Sequence, residues 1–239
     1  MNWQKRVQRL TEIQPLYDKK CTCLICKKTF TTKRVRSRFI KVTNYDSDFY
    51  PHYSSDESNP ILYYVNVCPH CGFSFSDDFN PYFPPGTLEM ITDKVCKQWV
   101  HQEYGGFRDK KTAIKTYKLA AYCATLKKEK HISIAGIYMR LAWLFRSLEN
   151  TEQEQRFMKL AENEYLESYL ADDYRGTQVT EIRILYIIGE LCRRTGNIEE
   201  AVRYFSKVIE KQKSTTEQKT VEMARERWYE IREMQKEKN

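Results

Sequence analysis

The sequence predicts an α+β fold, mainly α: a small zinc-ribbon-like β module followed by a tetratricopeptide-like helical repeat array. Three observations carry this. Two Cys-x-x-Cys hooks lie in the first third of the chain, all seven prolines fall before residue 86, and a spaced set of small and aromatic residues marks the proline-free remainder. The 239 residues suffice for one or two domains with a sizeable core. Charged residues make up 30%, aromatics 13%, and mean hydropathy is -0.70. That many rings exclude a solvated, disordered chain.

The hooks are Cys23-Leu-Ile-Cys26 and Cys68-Pro-His-Cys71-Gly72. Each spacing lets one tight turn aim both sulfurs at a single ion. Four thiolates fill the tetrahedral shell of zinc and leave no open position, which is the arrangement of a structural site. One zinc held by Cys23, Cys26, Cys68 and Cys71 is therefore the expected cofactor, with iron as the competing metal. Pro69 fixes the second turn and Gly72 allows a positive φ behind the metal. Cys21 is off the spacing, while Cys96, Cys123 and Cys192 sit among apolar residues; all four are expected outside the metal shell. His70 and His52 would serve as ligands only if one hook were broken.

Between the hooks, Arg38 to Val42 and Ile61 to Val67 are rich in β-branched and aromatic residues and are expected as strands, with a polar loop over residues 44–59. The net charge of +8 is unevenly spread. Residues 19–41 carry nine Lys or Arg and no acid; residues 42–93 carry eight acids and no Lys or Arg. The basic block has two readings: a strand face solvated or paired with acids, or a phosphate-binding face over residues 27–41.

Domain organisation follows the prolines. Residues 1–85 are expected as the ribbon-like module with an N-terminal helical lead-in, and residues 86–239 as the helical domain with a C-terminal capping helix. Ile91, Val95, Cys96, Trp99 and Val100 share one helical stripe and suggest a connecting helix. Leu185, Ile188, Gly189 and Cys192, then Gly196-Asn197, then Ala201, Phe205 and Val208 have the offsets of one tetratricopeptide repeat, with Cys192 in place of the usual tyrosine. Tyr138, Leu141, Ala142 and Phe145 with Ala161 and Tyr165 form a looser copy. Ala113, Tyr117 and Ala120 suggest the second helix of a still earlier unit. Ser214-Thr-Thr-Glu217 has the pattern of a capping box ahead of the last helix.

Several segments together resemble the bacterial family called domain of unknown function 2225, from about residue 17 to 210: Tyr17-Asp-Lys-Lys20, Lys33-Arg-Val-Arg-Ser37, Asp46-Ser-Asp-Phe49, Asn59-Pro60, Tyr63-Tyr64, Cys68-Pro-His-Cys71-Gly72-Phe73 and Ile188 through Asn197. The resemblance implies a cytoplasmic protein with a cysteine-ligated ribbon joined to tetratricopeptide-like helices, and no established activity. Leu24 stands where such hooks usually hold proline. No apolar stretch follows the basic N-terminus, so a secretory signal is not expected and the compartment should be reducing. The most apolar window, Ile132 to Leu148, is interrupted by Arg140 and Arg146, so no membrane partner is expected.

No phosphate-cradling glycine loop, paired histidines at helical spacing or nucleophile elbow occurs. Asp46 with Asp48, and Asp77 with Asp78, read as solvated turn acids. The leading expectation is a non-catalytic scaffold or adaptor presenting a concave helical groove to a protein or peptide. Aligned on Gly189, the first helix turns Arg183, Tyr186, Glu190 and Arg193 to the inner side, and alignment on Ala142 adds Met139, Trp143 and Arg146. Trp, Tyr, Met and several Arg make the composition of a binding hot spot, and the arginines favour an acidic partner. Trp143 could equally be core. A nucleic-acid binder using residues 27–41 is the second expectation, and a zinc-dependent enzyme, which needs one thiolate outside the metal shell, the third.

Overall fold

The structure is a computed structural model and describes residues 13–237. The expected helical lead-in falls on residues 1–12 and lies outside the described residues. β1 (Leu16–Thr22) and β2 (Thr29–Val35) pair antiparallel with Thr22 opposite Thr29, so the first hook is the tip of a hairpin. β3 (Val42–Tyr45) and β4 (Pro51–Tyr53) form a second hairpin, with a register shift between Val42 and Asn44. β5 (Asn66–Val67) and β6 (Ser74–Phe75) form the third, and its tip is the second hook. The three pairs remain separate two-stranded sheets. Phe30 meets Phe75 edge to face at 6.5 Å, which packs the first hairpin on the third.

Two strand expectations are corrected here. Ser37–Phe39 is a helical turn, with strand only from Val42. Pro60–Tyr63 is likewise a helical turn, because the Asn59 side chain accepts from Ile61 N at 2.9 Å and Pro60 sits at the first helical position. The β-rich composition of Ile61 to Val67 is overridden by that cap, and only Asn66–Val67 pairs. Arg108 then knits the turn to β2: its guanidinium donates to Val65 O at 2.7 Å, Leu62 O at 3.3 Å and Thr32 Oγ1 at 3.3 Å. Burial lowers this guanidinium's pKa to about 10.

The remainder is helical. α1 (Thr87–Ile91) runs into one wide turn, Thr92–Cys96, and stops there. The expected connecting stripe therefore ends before Trp99, whose indole N–H instead donates to Pro69 O at 2.9 Å. α2 (Lys110–Lys127), α3 (His131–Arg146), α4 (Thr151–Leu170), α5 (Glu181–Thr195), α6 (Ile198–Glu210) and α7 (Gln218–Lys236) follow, each packed on the one before. Asp109, Asn150, Thr180 and Asn197 cap four of them through side-chain oxygens. The capping box expected at Ser214 and Glu217 does not form: Glu217 N bonds to Thr215 Oγ1, and the Glu217 carboxylate accepts from Thr180. Among the described residues no helix is long and apolar enough to cross a membrane.

One apolar core runs from Phe30, Val67 and Phe73 through α2, α3 and α4 to Ile187 and Leu191, crossing the chain at residue 85. A second cluster fills the space among α5, α6 and α7. In the α5/α6 pair a Cβ on Gly189 would lie 2.9 Å from Phe205 Cδ1 and 3.3 Å from Tyr204 Cβ, so the tetratricopeptide-like spacing is enforced by close approach. Gly189→Ala gains about 1 kcal/mol of helix propensity but must push a fully buried Phe205 ring out of place, at about 1–3 kcal/mol. We expect a net loss, read as a lower urea midpoint at unchanged slope; an unchanged or higher midpoint would show that the two helices can part freely.

Candidate functional site

The two hooks are built alike. In the first, Cys23 N bonds to Lys28 O at 3.0 Å and Lys27 N to Cys23 O at 3.2 Å; in the second, Cys68 N bonds to Phe73 O at 3.0 Å and Gly72 N to Cys68 O at 2.9 Å. Lys27 and Gly72 hold the same place with φ of 59° and 74°. Lys27 tolerates the left-handed conformation in the open, whereas Gly72 lies under Trp99, whose ring a Cβ would meet at 2.3 Å.

The sulfurs of Cys23 and Cys71 are 3.6 Å apart, as are those of Cys26 and Cys68, and all four lie within 4.8 Å of one another. A tetrahedron with metal–sulfur bonds of about 2.3 Å has edges of about 3.8 Å, so the donor set fits a four-coordinate metal. Close approach of the sulfurs lowers the pKa of Cys68 through Cys23 and Cys71 and raises those of Cys23 and Cys71. Cys21 lies outside the cluster with its sulfur 3.8 Å from Asn66 Oδ1. His52 bonds Asp46 instead of the cluster, Cys123 accepts from Ser74 N, and Cys192 donates to Glu162.

The basic block is partly paired. Asp77 receives Lys19 at 2.6 Å and also Arg34, Asp18 receives Lys33 at 2.8 Å, and Arg36 lies 4.9 Å over the Tyr17 ring. Burial would raise the Asp77 carboxyl, but Lys19 and Arg34 hold it below the usual carboxylate range. Within residues 27–41, Lys33 and Arg34 are thus the ion-paired members among the described residues.

The helical inner face is where sequence and structure part company. The turn joining β3 to β4 inserts Ser47, Asp48, Phe49 and Tyr50 between α3 and α5. Arg146 grips Asp48 with both terminal nitrogens, at 2.6 and 3.1 Å, and also reaches Asp46 at 2.7 Å and Glu154 at 2.7 Å. Trp143 Nε1 donates to Asp48 at 3.1 Å. Tyr186 OH donates to Ser47 O at 2.8 Å, and its ring packs on Phe49 at 5.2 Å. Ser47 Oγ donates to Glu190 at 2.6 Å and accepts from Arg194 at 2.9 Å. Glu190 also holds Arg193 at 2.7 Å, and Arg183 lies 4.4 Å over Phe49.

Tyr186 and Glu190 are consequently buried completely and Met139 nearly so, while Trp143, Arg146 and Arg193 are half-buried and Arg183 is exposed. The reading of Asp48 as a solvated turn acid is overturned, because it is 0% exposed, whereas Asp46 stays partly exposed but is paired with Arg146 and His52. The sequence reading named Arg183, Tyr186, Glu190, Trp143 and Arg146 but missed the β3–β4 turn that contacts them, and it missed Arg194. A usable signal was present: an acidic stretch without Lys or Arg, facing helices whose inner positions carry Arg146, Arg193 and Arg194.

Fold and site together define a four-cysteine ribbon-like module joined to a tetratricopeptide-like helical array. The chain belongs to the family described as "Uncharacterized protein conserved in bacteria (DUF2225)", which it matches over residues 16–231. No curated protein and no solved structure matches it.

Burial alone would raise the Asp48 carboxyl, but the hydrogen bonds and charge of Arg146, the charge of Arg194 and the Trp143 bond outweigh it and hold the pKa below the ordinary range. Glu190 is lowered by Arg193, Ser47 and Arg194 against the same burial. Depressed carboxyls stabilise the fold above their unfolded values of about 3.9 and 4.3, and that stability fades as pH falls through the still lower folded values. The seated turn should therefore hold at pH 5 and loosen only below about pH 4, seen as a change in Trp143 emission. Arg146→Met leaves a buried carboxylate unpaired and should cost about 3–5 kcal/mol in urea unfolding near neutral pH.

Proposed function

We propose that the chain is a non-catalytic, zinc-braced cytoplasmic scaffold whose helical inner face is a peptide groove, and that its partner presents an acidic, aromatic segment. One observation carries this: the face already holds a segment of that chemistry, its own residues 46–50, through Arg146, Trp143, Tyr186 and Arg194. Arginine forks and aromatic anchors in a concave face are what such peptides need. The partner then exchanges for the turn, which competes at high effective concentration because both ends of its excursion are tied at the hooks. Four sulfurs in one shell brace that excursion and leave a metal no position for substrate, which supports a structural role.

Two experiments test this reading. Metal analysis should find one zinc per chain, lost in Cys68→Ser with loosening of residues 19–80; metal-free protein purified without chelator, or full retention in the variant, would refute it. Because Cys23 and Cys71 keep their protons in the absence of a cation, metal binding releases protons, and zinc should be shed as pH falls.

For the groove, a labelled peptide with the sequence of residues 44–53 should bind the Asp46→Asn/Asp48→Asn double variant and raise its melting temperature. The parent chain, with its own turn seated, should bind at least about tenfold more weakly. A folded double variant that ignores the peptide would sink the groove reading while leaving the zinc result intact.

A further inference from the structure

Beside the seated turn, the interior keeps an open cavity of about 910 Å³ between α3, the start of α5 and the segment after β6. Its walls include Phe49, Tyr64, Trp143 and Tyr165, and two arginines, Arg140 and Arg183, line it. Arg140 lies flat along its own helix: its guanidinium is 4.1 Å over the Tyr64 ring and donates to Gly136 O at 2.8 Å. A Cβ at position 136 would stand 3.0 Å from Arg140 Nη1, so any side chain there would crowd the guanidinium.

Among the described residues Arg140 and Arg183 make no ion pair, although Arg146, Arg193 and Arg194 nearby all do. The acids that line the same cavity are already engaged: Asp48 by Arg146, Asp78 by the Tyr64 hydroxyl, and Glu129 by Lys127. The cavity thus holds two guanidiniums set on aromatic rings beside apolar walls, and Asp78 adds favourable charge near Arg140 without forming an ion pair with it. Arg140 is half-buried and Arg183 exposed, so both guanidiniums can be reached by an anion entering the cavity. A planar fork on an aromatic face is arranged to receive a carboxylate or phosphate.

We propose that this cavity binds a small organic oxyanion, an apolar or aromatic body carrying one carboxylate or phosphate group, with Arg140 and Arg183 taking the oxyanion and Phe49, Trp143 and Tyr165 enclosing the body. The volume suits a ligand of metabolite size. The inference stands apart from the peptide groove, since the cavity is open while the turn is seated and Phe49 is one of its walls.

Titration calorimetry on the full chain, with phenyl phosphate, benzoate, uncharged benzamide and inorganic phosphate as probes, tests it. Phenyl phosphate or benzoate should bind, benzamide should not, and inorganic phosphate should bind more weakly than phenyl phosphate. The preferred aryl anion identifies the head group, and either preference supports the site. Arg140→Gln and Arg183→Gln should each weaken that binding by about tenfold or more, whereas Arg203→Gln, a charge change on the exposed surface of α6, should not. If Arg140→Gln fails to fold, Arg183→Gln decides alone, because that side chain is exposed and bears no bond on which the fold depends. The proposal is overturned if neither aryl anion binds at up to about 10 mM, if benzamide or inorganic phosphate binds as well as the aryl anions, or if Arg203→Gln weakens binding as much as Arg183→Gln.

Discussion

Four sulfurs on two hairpin tips must converge, and the stretch between them is shaped by that constraint. With Cys26 and Cys68 sharing one shell, residues 27–67 become a closed loop whose reach is limited at both ends. Holding such a loop costs about 4 kcal/mol of chain entropy, which buried thiols alone do little to offset. A zinc ion in such a four-thiolate shell would supply roughly 10–16 kcal/mol. The β3/β4 excursion then projects in one direction, and its tip finds Arg146 and Arg194 on the helices.

Charge explains why that tip stays. The basic and acidic blocks of the N-terminal part nearly balance, yet they do not simply face one another. Asp77 takes Lys19 and Arg34 from the first hairpin, while Asp46 and Asp48 leave the module and pair with Arg146 on α3, with Arg194 beside them. Each half of the molecule thus supplies what the other lacks. Asp48 is shut off from water and Asp46 is partly so, and Arg146 and Arg194 are themselves half-buried beside them. Severing one ion pair here uncovers a buried charge, so the seam is stiff where a surface salt bridge would be soft.

Much of this was legible in the residues. The hooks announced the four-cysteine cluster because thiol spacing is a local property that tertiary context seldom alters. Gly189 and Ala201 announced the helix pair because close approach leaves few alternatives to small residues. The ribbon strands were misread where composition competed with punctuation: Asn59-Pro60 starts a helical turn whatever β-branched residues follow, and the cap was the stronger signal. The filled inner face was illegible for a different reason. Alignment on a repeat tells which way a side chain points, but a partner that comes from a loop about a hundred residues earlier leaves no periodic trace. Only the complementary charge of the two regions hinted at it.

Trp99 has a consequence for how the chain can be divided. It lies past the last proline and past α1, yet its ring roofs Gly72 and its N–H holds Pro69, so the outer wall of the second hook is supplied by the helical side of the chain. Arg108 reaches back in the same way to Leu62, Val65 and Thr32. A ribbon cut out after its prolines would carry all four cysteines and lack both of these supports. In modular terms the cysteine unit is not portable: transplanted into another protein it would need the linker as well, so insertions between hook and helices are tolerated only where they spare residues 99–108.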